Sequence, residues 1–429
     1  MPERSWRGPV PARPDVIVVG AGVSGLACAA DLTAAGLEVL VLEASDSPGG
    51  RMRTDHHDGF LLDRGFQVFN TGYPQVRRRM GGAGPRMHPF TPGVVLATGR
   101  GHLRFGAPVP RPSAAATFLR GGLGPLGDVP ALGLLSARDA LAPASVIKAG
   151  PDITVRRALA EAGISDVLVE RFFRPFLSGV FLEPDLATSA RVFHLVWRSM
   201  LRGSLCLPAG GIGAVPRWLA AGLPEGTVRT GCPVREVTDE GVLTEDGAEI
   251  GARIVVVATE GSAAARLVPG VPSPRNRTVT TYYHASERSP LAEPTLLLDS
   301  ARHRFLNSCV LSEVAPGCAP PGVALISTSV LGEDRPGREA ELRVALGDAY
   351  GVDASAWEAL RAVTVRGALP AMEPPQPLGR TTRVSPGRYV CGDHRATGSV
   401  QGAMASGARA AREVLVDVAR AAGLLPARR

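Results

Sequence analysis

The stretch Val16-Ile17-Val18-Val19-Gly20-Ala21-Gly22-Val23-Ser24-Gly25-Leu26 carries the first decision about the fold. Its opening four residues are apolar without alternation, as in a strand buried on both faces of a parallel sheet. Three glycines follow at once with Gly-x-Gly-x-x-Gly spacing. Gly20 permits a tight turn, Gly22 lets the backbone approach a pyrophosphate, and Gly25 lets the next helix pack closely. That helix is predicted over 24–35, stops at Gly36, and gives way to a second strand, Glu38-Val39-Leu40-Val41-Leu42. Unpaired N–H groups at a helix start attract negative charge, so Val23 and Ser24 join the three glycines as candidate cofactor contacts. Glu43 ends the second strand, about 20 residues on, where its carboxylate can accept hydrogen bonds from both ribose hydroxyls of a dinucleotide. Strand, glycine triplet, helix, strand and acid, in this order, predict a βαβ dinucleotide-binding unit.

The rest of the chain narrows what that unit serves. At 429 residues it is long enough for two or three packing units. Its 45% hydrophobic and 20% charged residues exclude coiled coil, collagen and wholesale disorder. Aromatic residues are 5%, too few for a base-stacking protein, and the net charge of +7 is spread along the chain, so no nucleic-acid partner is expected. Of 47 Lys and Arg residues only Lys148 is a lysine, a bias expected of a G+C-rich bacterial genome. The six cysteines form no Cys-x-x-Cys pair and no His–Cys cluster, so neither a disulfide framework nor a metal site is expected. No apolar run of about 20 residues occurs, and Met1 to Pro14 is Pro/Arg-rich without a signal-peptide core. A cytoplasmic protein is the expectation.

Further motifs extend the reading. Glu43-Ala44-Ser45-Asp46-Ser47-Pro48-Gly49-Gly50-Arg51-Met52-Arg53-Thr54 resembles the flavin-dependent amine oxidase superfamily, which includes phytoene-type carotenoid desaturases, protoporphyrinogen oxidase and the monoamine oxidases. The resemblance implies FAD, with the loop from Glu43 and Ala44 to Gly49, Gly50 and Arg51 wrapping its pyrophosphate. Near the other end, Cys391-Gly392-Asp393-His394-Arg395-Ala396-Thr397-Gly398-Ser399-Val400-Gln401-Gly402-Ala403 is similar to the family's closing FAD motif. It implies Asp393 on the ribityl or pyrophosphate side, and a helix opening at Gly398, Ser399 and Val400 with its N–H groups toward the flavin pyrimidine. By the same resemblance Val234 contacts adenine through its backbone. Asp63-Arg64-Gly65-Phe66-Gln67 resembles the segment beside the isoalloxazine, which makes Phe66, Gln67 and, from the closing motif, His394 candidates for the flavin or substrate side. Looser similarities cover Leu207-Pro208-Ala209-Gly210-Gly211 and Arg174-Pro175-Phe176-Leu177.

The implied fold is α/β: a doubly wound, Rossmann-like FAD-binding domain of glutathione-reductase type, interrupted by an α+β substrate domain. After a disordered tail over 1–14, the FAD domain is expected to take 15–76, 205–274 and 385–429, and the substrate domain 77–204 and 275–384. Helices are predicted near 154–162, 166–173, 190–201, 338–350 and 400–422, and strands near 234–237, 254–257, 279–283, 296–298 and 323–331. The implied function is dehydrogenation of a hydrophobic small molecule, desaturase-like or protoporphyrinogen-oxidase-like, with hydride passing to a non-covalently held FAD and oxygen or a quinone as acceptor. Amine oxidases of this family usually carry a lysine near the flavin, and Lys148 falls far from the strands where that lysine is expected. The alternatives are a flavin amine or amino-acid oxidase, with Arg51 or Arg304 binding a carboxylate, a non-redox mutase, or a flavin-binding scaffold. Residues 118–135, rich in Gly and Leu, are a candidate peripheral membrane contact or a buried connector.

Overall fold

Four buried side chains, Val16 to Val19, place the strand Val16–Val19 (β1) inside a six-stranded sheet in the computed structural model of the chain, which describes residues 13–106 and 123–424. β1 pairs in parallel with Val39–Leu42 (β2) on one side and Ile254–Val257 (β3) on the other. Val228–Arg229 extends the sheet beyond β2 and Arg388–Val390 (β4) beyond β3, both in parallel, and Arg383–Ser385 closes the edge antiparallel. The three central strands β1, β2 and β3 are uninterrupted apolar runs, as expected of strands covered on both faces. Ile17, Val19, Leu40, Leu42, Val255, Val257 and Val390 share one apolar cluster. The helix Val23–Ala34 (α1) follows the glycine turn and the helix Val400–Ala421 (α2) follows β4. The two cross closely at Gly407, where a Cβ would lie 2.1 Å from the Ser24 carbonyl oxygen.

This sheet belongs to a compact unit made of the described residues up to Arg53, Gly213–Arg275 and those from Pro377 onward. The other unit comprises Thr54–Ile212 and Asn276–Gln376. The first crossing thus falls at Arg53/Thr54, ahead of the boundary expected at 76/77. The hairpin Thr54–His57 with Phe60–Asp63 is tied inside the second unit, where Asp63 Oδ1 accepts from Thr54 Oγ1 at 2.6 Å and from Ile212 N at 3.0 Å. Of the expected tail, residues 1–12 lie outside the described residues, and Pro14 is already buried.

The second unit is built on a seven-stranded sheet ordered Glu358–Pro370, Asn276–Ser286, Ala324–Leu331, Asn307–Val310, Leu296–Asp299, Val94–Thr98 and Gly101–Phe105. All its pairs are antiparallel except Leu296–Asp299 with Val94–Thr98. The helix Arg338–Tyr350 buries Leu342 and Leu346 against Val95, Leu297 and Trp357. Glu358–Pro370 was not legible as a strand because it is an edge, with Arg361 and Arg366 interrupting its apolar alternation. Among the described residues no helix is long and apolar enough to cross a membrane.

Candidate functional site

The residues expected from the fingerprint, the Glu43–Arg51 loop, Val234 and the closing motif all lie in the first unit, and the structure brings two glycine turns together at the start of α1. Gly20 has φ +104°, and a Cβ on Gly25 would stand 2.0 Å from the Gly20 carbonyl oxygen, so the turn and its packing require both. Gly22 differs. Its φ of −70° and ψ of 170° suit any residue, and a Cβ there would meet nothing within 4 Å. Packing does not demand this glycine, which is the N-cap of α1, a position that accepts glycine better than alanine, and it leaves the main chain open to an approaching ligand. Gly22 bridges to Gly49, whose N–H donates to the Ala21 carbonyl at 2.9 Å, and Gly50 (φ +59°) packs with its Cβ position 3.5 Å from the Gly22 Cα. The result is a side-chain-free concavity at a helix start that no side chain caps, suited to an anion held by main-chain N–H groups.

Charged groups ring this concavity. Glu43 is buried, and its Oε2 accepts from Ala21 N at 2.7 Å while Oε1 accepts from Ser45 N at 3.0 Å. With Ser45 Oγ also donating to Oε1 at 2.5 Å, the carboxylate clamps the glycine turn to the loop after Ala44 and keeps acceptor capacity on Oε2 for a hydroxyl donor. Arg51 pairs with Asp393 Oδ1 at 2.8 Å, joining the first loop to the closing motif 342 positions away in sequence numbering (393 less 51). Asp393 is 7% exposed in its side chain, which makes this a partly desolvated pair rather than a surface contact. Cys232 N donates to the Glu43 carbonyl at 2.9 Å, so the strand Val234–Val237 starts two residues beyond the Glu43 corner.

The closing motif leaves β4 through Gly392 (φ +149°), whose N–H donates to Ser406 Oγ at 3.2 Å. Ser399 caps α2, accepting from Gly402 N at 3.0 Å, and follows Gly398 directly into Val400. His394 is the unusual member. Its imidazole is 3% exposed, a Cβ on Gly392 would stand 2.5 Å from its Cε1, and neither ring nitrogen has a hydrogen-bond partner among the described residues. Burial lowers its pKa, Asp393 opposes that, and the positive charges of Arg395 and Arg51 add to the lowering, so the ring is neutral at pH 7. A buried imidazole with unused donor and acceptor capacity suits a polar ligand group. Cys391 is inert, its thiol pushed up to about 12 by burial.

Glu260 belongs to this site and was missed from sequence. It leaves β3, caps the helix Gly261–Leu267 by accepting from Ser262 N at 2.9 Å and Ala263 N at 2.6 Å, and its charge reaches Arg51 and His394. The signal was an acid directly after a buried strand, at Thr259-Glu260-Gly261.

The remaining candidates lie in the second unit. Phe66 and Gln67 are half-buried in the loop between Phe60–Asp63 and Phe69–Asn70. Phe66 N donates to Thr281 Oγ1 at 3.2 Å. Phe172, Phe173, Phe176 and Phe181 are buried, and the first three pack with Trp197 as an aromatic core. Arg304 is occupied by Asp299 at 3.1 Å and Asp348 at 2.8 Å. Lys148 is exposed on the short helix Ala144–Ala149.

Comparisons with known proteins agree with this fold. A coproporphyrinogen III oxidase from Propionibacterium freudenreichii is 29% identical over 187 residues, which is 41% of this chain and 33% of that protein. The chain thus spans about a third of that relative's length. The structure superposes on a putative protoporphyrinogen oxidase from Exiguobacterium sp. 255-15 with TM-score 0.70 at 17% identity, covering 94% of this chain and 98% of the other. It superposes on a wild-type putrescine oxidase bound to putrescine with TM-score 0.68 at 20% identity, covering 94% and 99%. At such identities these likenesses concern the fold. Residues 23–415 match the family model described as flavin containing amine oxidoreductase, and on that match the chain belongs to this flavoprotein family of oxidoreductases.

Proposed function

We propose that the chain is an FAD-dependent dehydrogenase of a hydrophobic small molecule, of the desaturase or porphyrinogen-oxidase kind, with oxygen or a quinone as electron acceptor. In this reading the first unit is a doubly wound FAD domain of glutathione-reductase type and the second is the α+β substrate domain. The bare concavity at Gly22, Gly49 and Gly50 suits the pyrophosphate, Glu43 the ribose, and the Asp393–Arg51 pair the ribityl side. When bound, FAD supplies a two-electron acceptor that no side chain can replace. The chain's own residues bind and orient it: α1 presents its first-turn N–H groups to negative charge, and α2 presents a second helix start. Neutral His394 can donate or accept a hydrogen bond beside Asp393 without adding charge. Non-covalent attachment is supported by Cys391, whose buried thiol is a poor nucleophile.

The observation that favours dehydrogenation over amine oxidation is Lys148. It is the one lysine of the chain and it is exposed, in a family whose amine oxidases usually keep a lysine near the flavin. The test is an anaerobic titration of the flavin-loaded protein with polyenes, with porphyrinogens, and with amines or amino acids, followed by flavin bleaching. Bleaching by polyenes or porphyrinogens is the expected result. Bleaching by amines alone, with ammonia released, overturns the proposal, and turnover that requires pre-reduced flavin assigns the protein to non-redox chemistry.

A further inference from the structure

The helix Asp128–Leu141 is built inside out. Its buried positions include both of its carboxylates, Asp128 at 1% and Asp139 at 0% exposure, while Leu134 and Leu141, seven residues apart and therefore on one face, are 74% and 81% exposed. Each buried acid has partners. Asp128 accepts from Ser165 N at 2.7 Å and from Ser165 Oγ at 2.6 Å, and Asp139 holds His194 Nδ1 at 2.6 Å and Arg138 at 3.1 Å. This polar anchoring fixes the apolar stripe outward, the reverse of a helix that covers a core.

The stripe continues past the helix. Half of the exposed large hydrophobic side chains among the described residues fall between Leu126 and Val146. Over the described residues 123–149 the exposed charges are Arg138 and Lys148, and no carboxylate is exposed. The segment 123–149 pairs exposed apolar side chains with basic groups and exposes no acid of its own, a composition complementary to an anionic lipid surface. The same composition is poorly matched to water and to most protein partners, whose interfaces carry a mixed polar rim.

We infer that the face of residues 123–149, centred on Leu134 and Leu141, docks on the surface of an anionic lipid bilayer. The chain lies on the membrane through this face and does not cross it. The inference is independent of the flavin reading, since it rests on a different unit of the molecule and its test reads no chemistry.

The experiment is co-sedimentation of the full-length, flavin-loaded protein with vesicles of phosphatidylcholine alone and of phosphatidylcholine with about one-third phosphatidylglycerol. The wild type is expected to pellet with the anionic vesicles and to bind them more tightly than the neutral ones. The double variant Leu134→Asp with Leu141→Asp is expected to lose at least tenfold in binding, as each leucine withdrawn from the lipid is worth about tenfold. Lys148→Glu is expected to cost about fivefold or more on anionic vesicles and little on neutral ones. An unchanged flavin spectrum and unfolding midpoint establish that the variants fold. Failure of the wild type to pellet overturns the inference, as does equal binding by the double variant. A dimer in solution that the double variant dissociates also overturns it, because a second copy then covers the face.

Discussion

At the scale of single residues, glycines that look equivalent in the fingerprint have separable jobs. Gly25 is demanded by the chain itself, since its Cβ would collide with the Gly20 carbonyl oxygen, whereas Gly22 meets nothing within 4 Å. Gly25→Ala is therefore expected to destabilise the protein by about 1–3 kcal/mol or more, read by denaturant unfolding. Gly22→Ala should cost the cofactor-free protein no more than about 1 kcal/mol, because the poorer N-cap is offset by the reduced freedom of the unfolded chain. It should weaken flavin binding at least tenfold, measured by fluorescence titration. Equal loss of stability in both variants would remove the argument that Gly22 answers to a ligand. His394 adds a pH dependence. Its folded pKa is lowered, chiefly by burial, as is that of His284, where Glu339 opposes the burial. The unfolded chain thus takes up these protons first. Stability is full above the ordinary imidazole range near 6.5 and falls as the pH drops below it, by up to about 1.4 kcal/mol per pH unit for each group. His394→Gln should flatten part of that slope between about pH 7 and 5, and a slope unchanged by it would place the effect elsewhere.

Elements show which parts of the chain announce themselves. β1, α1 and β2 were legible because an uninterrupted apolar run, a glycine triplet and a second run are all local signals. The same holds for α2, whose Ser399 cap and small apolar residues stand together in sequence. Ser399→Ala is expected to cost about 1 kcal/mol in unfolding free energy through loss of the bond to Gly402 N. Two elements were illegible for opposite reasons. Glu358–Pro370 is an edge strand whose charges hide the alternation, and Asp128–Leu141 hides its acids and exposes Leu134 and Leu141. Long-range pairings such as Arg51 with Asp393 have no local signature at all, since each partner's motif was readable and their meeting was not. Glu260 has a local signal, an acid after a buried strand, but that signal does not disclose its neighbours. Its contribution depends on which charges the fold gathers around it, as Arg51 and His394 show.

For the whole molecule, the consequence of assembling one unit from three chain segments is that no contiguous piece can fold it. The last segment supplies β4, which is hydrogen-bonded to β3 in register from Val255↔Arg388 to Val257↔Val390, and α2, which packs on α1 through Gly407. A chain ended at Gln376 lacks both. It leaves the inner edge of β3 unpaired and uncovers buried residues of α1 such as Ser24 and Cys28, so the loss exceeds the margin of about 5–15 kcal/mol by which domains are stable. The second unit, Thr54–Ile212 with Asn276–Gln376, is complete in that truncation and keeps its own seven-stranded sheet and its own core around Leu297, Leu342 and Trp357. Truncation at Gln376 is therefore expected to abolish flavin retention while leaving one cooperative transition by circular dichroism, smaller than that of the full chain. Complete loss of any transition would show that the second unit depends on the first for its stability. Retention of flavin would contradict the assignment of the cofactor to residues gathered from both ends of the chain.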